Sequence, residues 1–201
     1  RLGSNGAVIG KHEARTRSRR AASDFWEGLA KSSDGRVRYV HEDTDLPIGV
    51  KRNRLGSLAR GDVIVQFDDD DVYLPTYVER MVSSLVEDGD ATDAFDAPKL
   101  ATLGAYVCYD AERGTLCEEN VVTEDLDGET LVGDKHSRWW GYGFSYCYTK
   151  ALLNVAAFVA TGFGEDYSLV CDAHAAGARC RAFVDSTADP TCLHVLHSRS
   201  S

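Results

Sequence analysis

Apolar residues along the chain come in short blocks whose spacing switches between helical and strand periods. From Ser23, the residues Phe25, Trp26 and Leu29 share one helical face; Ser23 or Asp24 can cap this helix, and Asp34-Gly35 stops it. Val37-Arg38-Tyr39-Val40-His41 alternates like a strand. Gly49 to Arg60 carries Val50, Leu55 and Leu58 at helical spacing ahead of Gly61, which predicts a second helix. Val63-Ile64-Val65-Gln66-Phe67 is rich in β-branched residues and reads as a buried strand. Pro75 suits the first turn of a helix through about Leu85, with Tyr77, Val78, Met81, Val82 and Leu85 as its apolar stripe. Leu103 to Val107 and Thr115 to Val122 flank Asp110-Ala111-Glu112-Arg113-Gly114, a hairpin-like turn. Gly141 to Tyr148 is rich in glycine and aromatics and leads into a helix from about Lys150. A further helix starts near Glu165 and ends at Gly177, and a strand through Ala182-Phe183-Val184 follows.

Strands alternating with helices predict right-handed crossovers and an α/β fold, a central, mostly parallel mixed sheet flanked by helices. At 201 residues the chain is long enough to bury a core without a disulfide or metal staple. The expected organisation is a basic arm over residues 1–22 and one domain over 23–201. No run of eighteen apolar residues is present, so no membrane span is expected. Charge sharpens the picture because it is uneven: residues 1–38 carry a net +5 and residues 62–134 a net −17, within a total of −10. So acidic a body repels a phosphate backbone, which excludes nucleic acid as the main partner and favours divalent cations. The arm reads as solvated, with an anionic lipid or a diphosphate as the alternative contact. The six cysteines form no C-x-x-C pair and no zinc spacing; most sit among apolar residues, which suits reduced thiols and a cytoplasmic location.

The sharpest chemical signal is Asp68-Asp69-Asp70-Asp71, delivered by an apolar strand. Close carboxylates repel one another unless a cation neutralises them. Open α/β sheets bind ligands just beyond the carboxyl ends of their strands. Hard oxygen ligands at that place suit Mg²⁺ or Mn²⁺ shared with substrate phosphate oxygens.

Gly49-Val50-Lys51-Arg52-Asn53, then Ala59-Arg60-Gly61-Asp62 and the strand into Asp68-Asp69-Asp70-Asp71, with Pro75, resembles the core of family 2 glycosyltransferases of the GT-A fold. Trp140-Gly141-Tyr142-Gly143-Phe144 with Tyr148-Thr149-Lys150 is similar to that family's W-G-G-x-x-x-Y-R/K segment. Gly164-Glu165-Asp166 resembles its E-D motif, and His194-Val195-Leu196-His197-Ser198 its late histidine. The likeness covers about residues 37–201. It implies a single GT-A domain, a donor that is a nucleotide-diphosphate sugar (UDP-sugars foremost), a sugar, lipid or protein acceptor, and Mn²⁺ or Mg²⁺. It also implies roles. Asp70 holds the metal with His197 as a second metal or phosphate ligand, and Asp68 and Asp69 lie against the ribose or donor sugar. Arg52 pairs with the diphosphate or base, and Asn53 supports the nucleotide pocket. Asp166 is the base of an inverting transfer, Glu165 positions the acceptor or supports the loop, and Trp140, Tyr142 and Gly143 form the acceptor side.

Residues 1–36 depart from the family pattern, since Ala7-Val8-Ile9 is too short for its opening nucleotide-binding strand. Two other readings stay open. The run Asp68-Asp69-Asp70-Asp71-Val72 also fits the D-x-D-x-V of a haloacid-dehalogenase-type phosphohydrolase, with Asp68 as nucleophile. A non-catalytic, glycosyltransferase-like binding domain is the other.

Overall fold

A computed structural model describes residues 20–86, 95–120, 143–185 and 188–197. The chain divides into two compact units, Arg1–Leu46 and Pro47–Ser201. In the first, helix α1 spans residues 20–32. It ends where the sequence predicts, because Asp34 and Gly35 both take positive φ (53° and 78°), which a helix cannot continue. The Ser33 hydroxyl closes the turn, accepting the Val37 N–H at 2.9 Å and donating to the Ala30 carbonyl at 3.0 Å. Phe25 and Trp26, expected on an apolar face, meet edge to face at 5.2 Å and stay exposed. Residues 37–41 do not form the expected strand. A period-two pattern makes a strand only when a ladder partner is at hand, and none pairs with them among the described residues. Most of the predicted basic arm, residues 1–19, lies outside the described residues.

The second unit carries the α/β fold. Helix α2 (Ile48–Leu58) leads to strand β1 (Val63–Val65), β2 (Val72–Tyr73) and helix α3 (Tyr77–Val86). The hairpin β3 (Lys99–Asp110) and β4 (Thr115–Asn120) comes next. A 3₁₀ turn (Gly143–Ser145), β5 (Cys147–Thr149) and a second 3₁₀ turn (Lys150–Asn154) precede α4 (Glu165–Ala175), β6 (Arg179–Val184) and β7 (Cys192–Leu196). The helix expected from Lys150 is thus a single 3₁₀ segment. The sheet runs β1-β5-β3-β7-β2, with β4 and β6 also on β3.

The sheet is mixed, but not mostly parallel. β3 pairs in parallel with β6 and β7, whereas β1–β5, β3–β5, β3–β4 and β2–β7 are antiparallel. The cause is β5. β1 and β3 run the same way, as the crossover through α3 requires, but β5 inserts antiparallel between them. The long strand β3 organises everything else: its first half pairs with β5 and β6, its second with β4 and β7.

Alternating residues of β3 and β5 feed two cores, one on each face of the sheet. Leu100 and Tyr148 join Leu169, Val170 and Ala173 of α4. Ala101, Leu103 and Cys147 join Tyr77, Met81 and Leu85 of α3. The predicted stripe of α3 therefore holds, except that Val78 faces out and Ser84 is buried instead. Among the described residues no helix is long and apolar enough to cross a membrane.

Helix α2 overturns its predicted face. Its buried residues are Gly49, Arg52 and Gly56, while Leu55 is exposed. Contact here is made by backbone rather than by aliphatic bulk. A Cβ on Gly49 would run into the Val159 carbonyl oxygen, whereas one on Gly56 would meet only the tip of the Leu153 side chain, at 2.6 Å from Cδ1. Asn53 completes the seam with two bonds to the Phe158 backbone, donating to the carbonyl at 2.7 Å and accepting the N–H at 3.0 Å. Gly49→Ala is accordingly expected to cost about 1–3 kcal/mol, the usual range for overpacking against an unyielding neighbour. Gly56→Ala is expected to be close to neutral, since Leu153 can rotate and alanine regains roughly 1 kcal/mol of helix propensity. Urea unfolding of both variants measures the difference; equal losses would contradict this account of the seam.

Candidate active site

The acidic run begins where β1 ends. Gln66 extends the strand by donating its N–H to the Tyr146 carbonyl at 2.8 Å. Two tyrosines, Tyr77 buried and Tyr73 half-buried, then hold the turn. The Tyr77 hydroxyl donates to the Gln66 carbonyl at 3.1 Å. The Tyr73 hydroxyl accepts the Asp68 N–H at 2.9 Å and donates to the Phe144 carbonyl at 2.8 Å. Burial pushes both phenols far above their ordinary range, so they remain protonated donors. Phe67, Tyr73 and Tyr77 pack ring to ring, with centroids 4.6–5.2 Å apart.

The four aspartates have four different surroundings. Asp71 is turned inward: its Oδ1 accepts the Val195 N–H at 2.8 Å and lies 2.8 Å from His194 Nδ1. A carboxylate only accepts, so Nδ1 carries the proton. The His194 ring stacks on Phe144 at 4.4 Å and 14°. Asp70 points outward, its Oδ2 3.0 Å from His197 Nε2. Asp69 stays exposed in the turn. Asp68 faces Arg52, whose Nη2 lies 3.4 Å from Oδ2. Carboxylate oxygens of Asp68, Asp70 and Asp71 lie within 4.8 Å of one another, a spacing and chemistry that fit a hard divalent cation. Burial raises the Asp68 pKa; Arg52 opposes this, while Asp71 and Asp70 add to it.

Arg52 joins this cluster to the second acidic motif. Its Nη1 donates to Glu165 Oε1 at 2.7 Å, with both side chains almost fully buried. Desolvation raises the Glu165 pKa, and a backbone hydrogen bond and the Arg52 guanidinium offset only part of that rise. Gly164 stands before α4 with φ 75°, a left-handed turn that delivers Glu165 and Asp166 together into the first turn of the helix. Asp166 Oδ2 accepts the Gly143 N–H at 3.1 Å and Oδ1 the Tyr167 N–H at 2.7 Å. The Gly143 backbone sits so close to Arg52 and Asp166 that a Cβ there would collide with both. Ser145 anchors that 3₁₀ turn to β3, accepting the Leu103 N–H at 3.1 Å and meeting Thr102 Oγ1 at 2.9 Å. Beside Arg52 and Asp68 opens a cleft of about 300 Å³, walled by Leu55, Gly56, Ile64, Gln66 and Tyr148.

The structure therefore brings Arg52, Asp68, Gly143, Glu165 and Asp166 into one connected group, and Asp70 onto His197. Asn53, expected in a nucleotide pocket, spends both ends of its amide on Phe158. Trp140 and Tyr142 lie outside the described residues. Sequence reasoning missed Tyr73, Tyr77 and His194 as supports of the acidic turn. The available signal was modest: two tyrosines directly after an acidic run, each needing a partner for its hydroxyl once buried.

The sequence profile described as Glycosyl transferase family 2 matches residues 17–124. That span holds Arg52, Asn53 and the acidic run; Gly143, Asp166 and His197 lie beyond it. No match is found among curated proteins.

Removing one member of a buried ion pair strands the other. Arg52→Met is expected to destabilise by about 3–5 kcal/mol, and adding Glu165→Gln is expected to restore a large part of the loss. A double-mutant cycle by urea unfolding measures this; strictly additive losses would show that the pair is not energetically coupled.

Proposed function

The chain belongs to glycosyl transferase family 2, and on that premise we propose that it transfers a sugar from a nucleotide-diphosphate donor to an acceptor hydroxyl, with inversion at the anomeric carbon and with Mn²⁺ or Mg²⁺ bound. UDP-sugars are the first donors to test, and the acceptor is a hydroxyl of a sugar, lipid or protein. The family sets aside the phosphohydrolase reading. The observation that carries the proposal is the reach of Arg52, which ties the acidic turn after β1 to the Glu165-Asp166 pair at the head of α4.

In this reading the donor occupies the cleft beside Arg52 and Asp68. Asp70 and His197, 3.0 Å apart, would hold the metal through a carboxylate oxygen and an imidazole nitrogen. When bound, the metal offsets the charge that develops on the departing diphosphate. Arg52 places a permanent positive charge on the same side of the reaction. Asp71 Oδ1 is taken by His194 and the Val195 N–H, which steadies the turn. Asp166 is the base. Its two oxygens are oriented by the Gly143 and Tyr167 N–H groups, and each keeps a lone pair for the acceptor proton. Glu165, bound to Arg52, holds the loop and so the aim of Asp166. Six free cysteines support a cytoplasmic setting.

Two measurements test the proposal. Calorimetric titration of Mn²⁺ with a nucleoside diphosphate present is expected to show binding that Asp70→Ala removes; equal affinities would discard the metal assignment. Transfer and hydrolysis of UDP- and GDP-sugars, followed with Mn²⁺, identifies the donor. With that donor and a confirmed acceptor, Asp166→Asn is expected to lower turnover by about 10²–10⁴-fold while donor binding barely changes. Turnover within a few-fold of wild type would make Asp166 structural, and donor binding without turnover in wild type would favour a binding domain.

A further inference from the structure

Cysteines outside the site are arranged unequally. In the described ladders Cys147 faces Val65 and Ala101, Cys192 faces Tyr73, and Cys180 faces Leu100. Cys108 of β3 alone faces another cysteine, Cys117 of β4. Directly opposed residues of an antiparallel pair have Cα atoms about 4.5 or 5.5 Å apart, depending on the kind of pair. Both values fall inside the range of roughly 4.4–6.8 Å that a disulfide spans, so no strand has to move far. The side chains already meet: both sulfurs lie within 4.8 Å of each other and of a Glu119 carboxylate oxygen.

We propose that Cys108 and Cys117 are a redox-active pair, separate from the transfer site, which a peroxide converts to an intrachain disulfide. Access and reactivity assign the order of events. Cys117 is part-exposed on β4, whose single ladder among the described residues is with β3, while Cys108 is wholly buried. Burial, with Cys117 and Glu119 beside it, pushes the Cys108 thiol up to about 12, so Cys108 is the resolving partner rather than the first nucleophile. The Cys117 thiol first gives its proton to solvent; the thiolate attacks one peroxide oxygen, the O–O bond breaks, and the departing hydroxide takes a proton back from solvent, leaving Cys117 as a sulfenic acid plus one water. Cys108 sulfur then attacks the sulfenic sulfur; the S–O bond breaks, and the hydroxide leaves with the Cys108 proton as a second water. Two thiols are oxidised and one peroxide is reduced. The other ladder partner of Cys108 is His194, which holds Asp71, so the crosslink forms one strand away from the acidic turn.

Peptide mapping tests this directly, because the exposed Arg113 in the intervening turn lets trypsin cut between the two cysteines. The full chain is treated with hydrogen peroxide, its remaining thiols are alkylated, and it is digested without reductant. The expected product joins the peptide holding Cys108 to the one holding Cys117, two hydrogens lighter than their sum and separated by reductant. Cys171→Ser is expected to give the same product and Cys117→Ser to abolish it. Complete alkylation of both cysteines after peroxide, or a link from either to a different cysteine, overturns the proposal on wild type alone. Neither result bears on glycosyl transfer, which the donor assays decide.

Discussion

One guanidinium holds the candidate site together. Arg52 lies on α2, 16 residues before Asp68 and 113 before Glu165, and it reaches both. Burying the Arg52–Glu165 pair costs solvation that is offset only when the geometry is close, as at 2.7 Å here, while Asp68 stays part-exposed. The fold meets that condition by giving α2 a glycine on either side of the arginine along its buried face, so that the helix backbone comes close and the side chain extends inward. The arginine also rests over the Phe158 ring, 5.6 Å from its centroid, on the segment that Asn53 clamps. Arg52 and Asn53 thus act as neighbours with distinct tasks: one connects two acidic motifs, the other holds the intervening chain against the helix.

The same division of labour resolves the problem of four adjacent aspartates. A run of like charges is tolerable when each carboxylate has its own compensation. Asp68 has Arg52, Asp70 has His197, and Asp71 has His194 with a backbone N–H. Asp69 is left to water. What looks in the sequence like one pooled negative charge is, in three dimensions, three separately partnered groups whose oxygens still converge to within 4.8 Å.

Local signals carried a good part of this into the sequence. β1, α3, the β3–β4 hairpin and α4 are legible because their evidence is contained in a few residues: a β-branched run, an apolar stripe, the turn at Asp110–Gly114, a glycine at each end of α4. The failures share a cause as well. The buried face of α2 depends on Val159 and Leu153, the insertion of β5 depends on strands far away in sequence, and residues 37–41 needed a partner that composition cannot supply. In the site, the motif residues were legible one by one, whereas the Arg52 bridge, the inward turn of Asp71 and the tyrosines beneath the acidic turn were not, since each is a contact across the fold.

Strand β7 shows how closely site and fold are coupled. It supplies both histidines: His194 within the strand meets Asp71, and His197 just past its end meets Asp70. Their positions are set by the parallel register of β7 on β3, in which His194 lies opposite Cys108. Side chains alternate strictly along a strand, so a slip of one residue would turn His194 to the other face, away from Phe144 and Asp71. The antiparallel contact of β2 with the outer edge of β7 opposes such a slip, pairing Tyr73 with Cys192. Tyr73 is also the residue whose hydroxyl holds Asp68. The acidic turn and the histidines that face it are therefore positioned by the same two ladders, and neither can shift without the other.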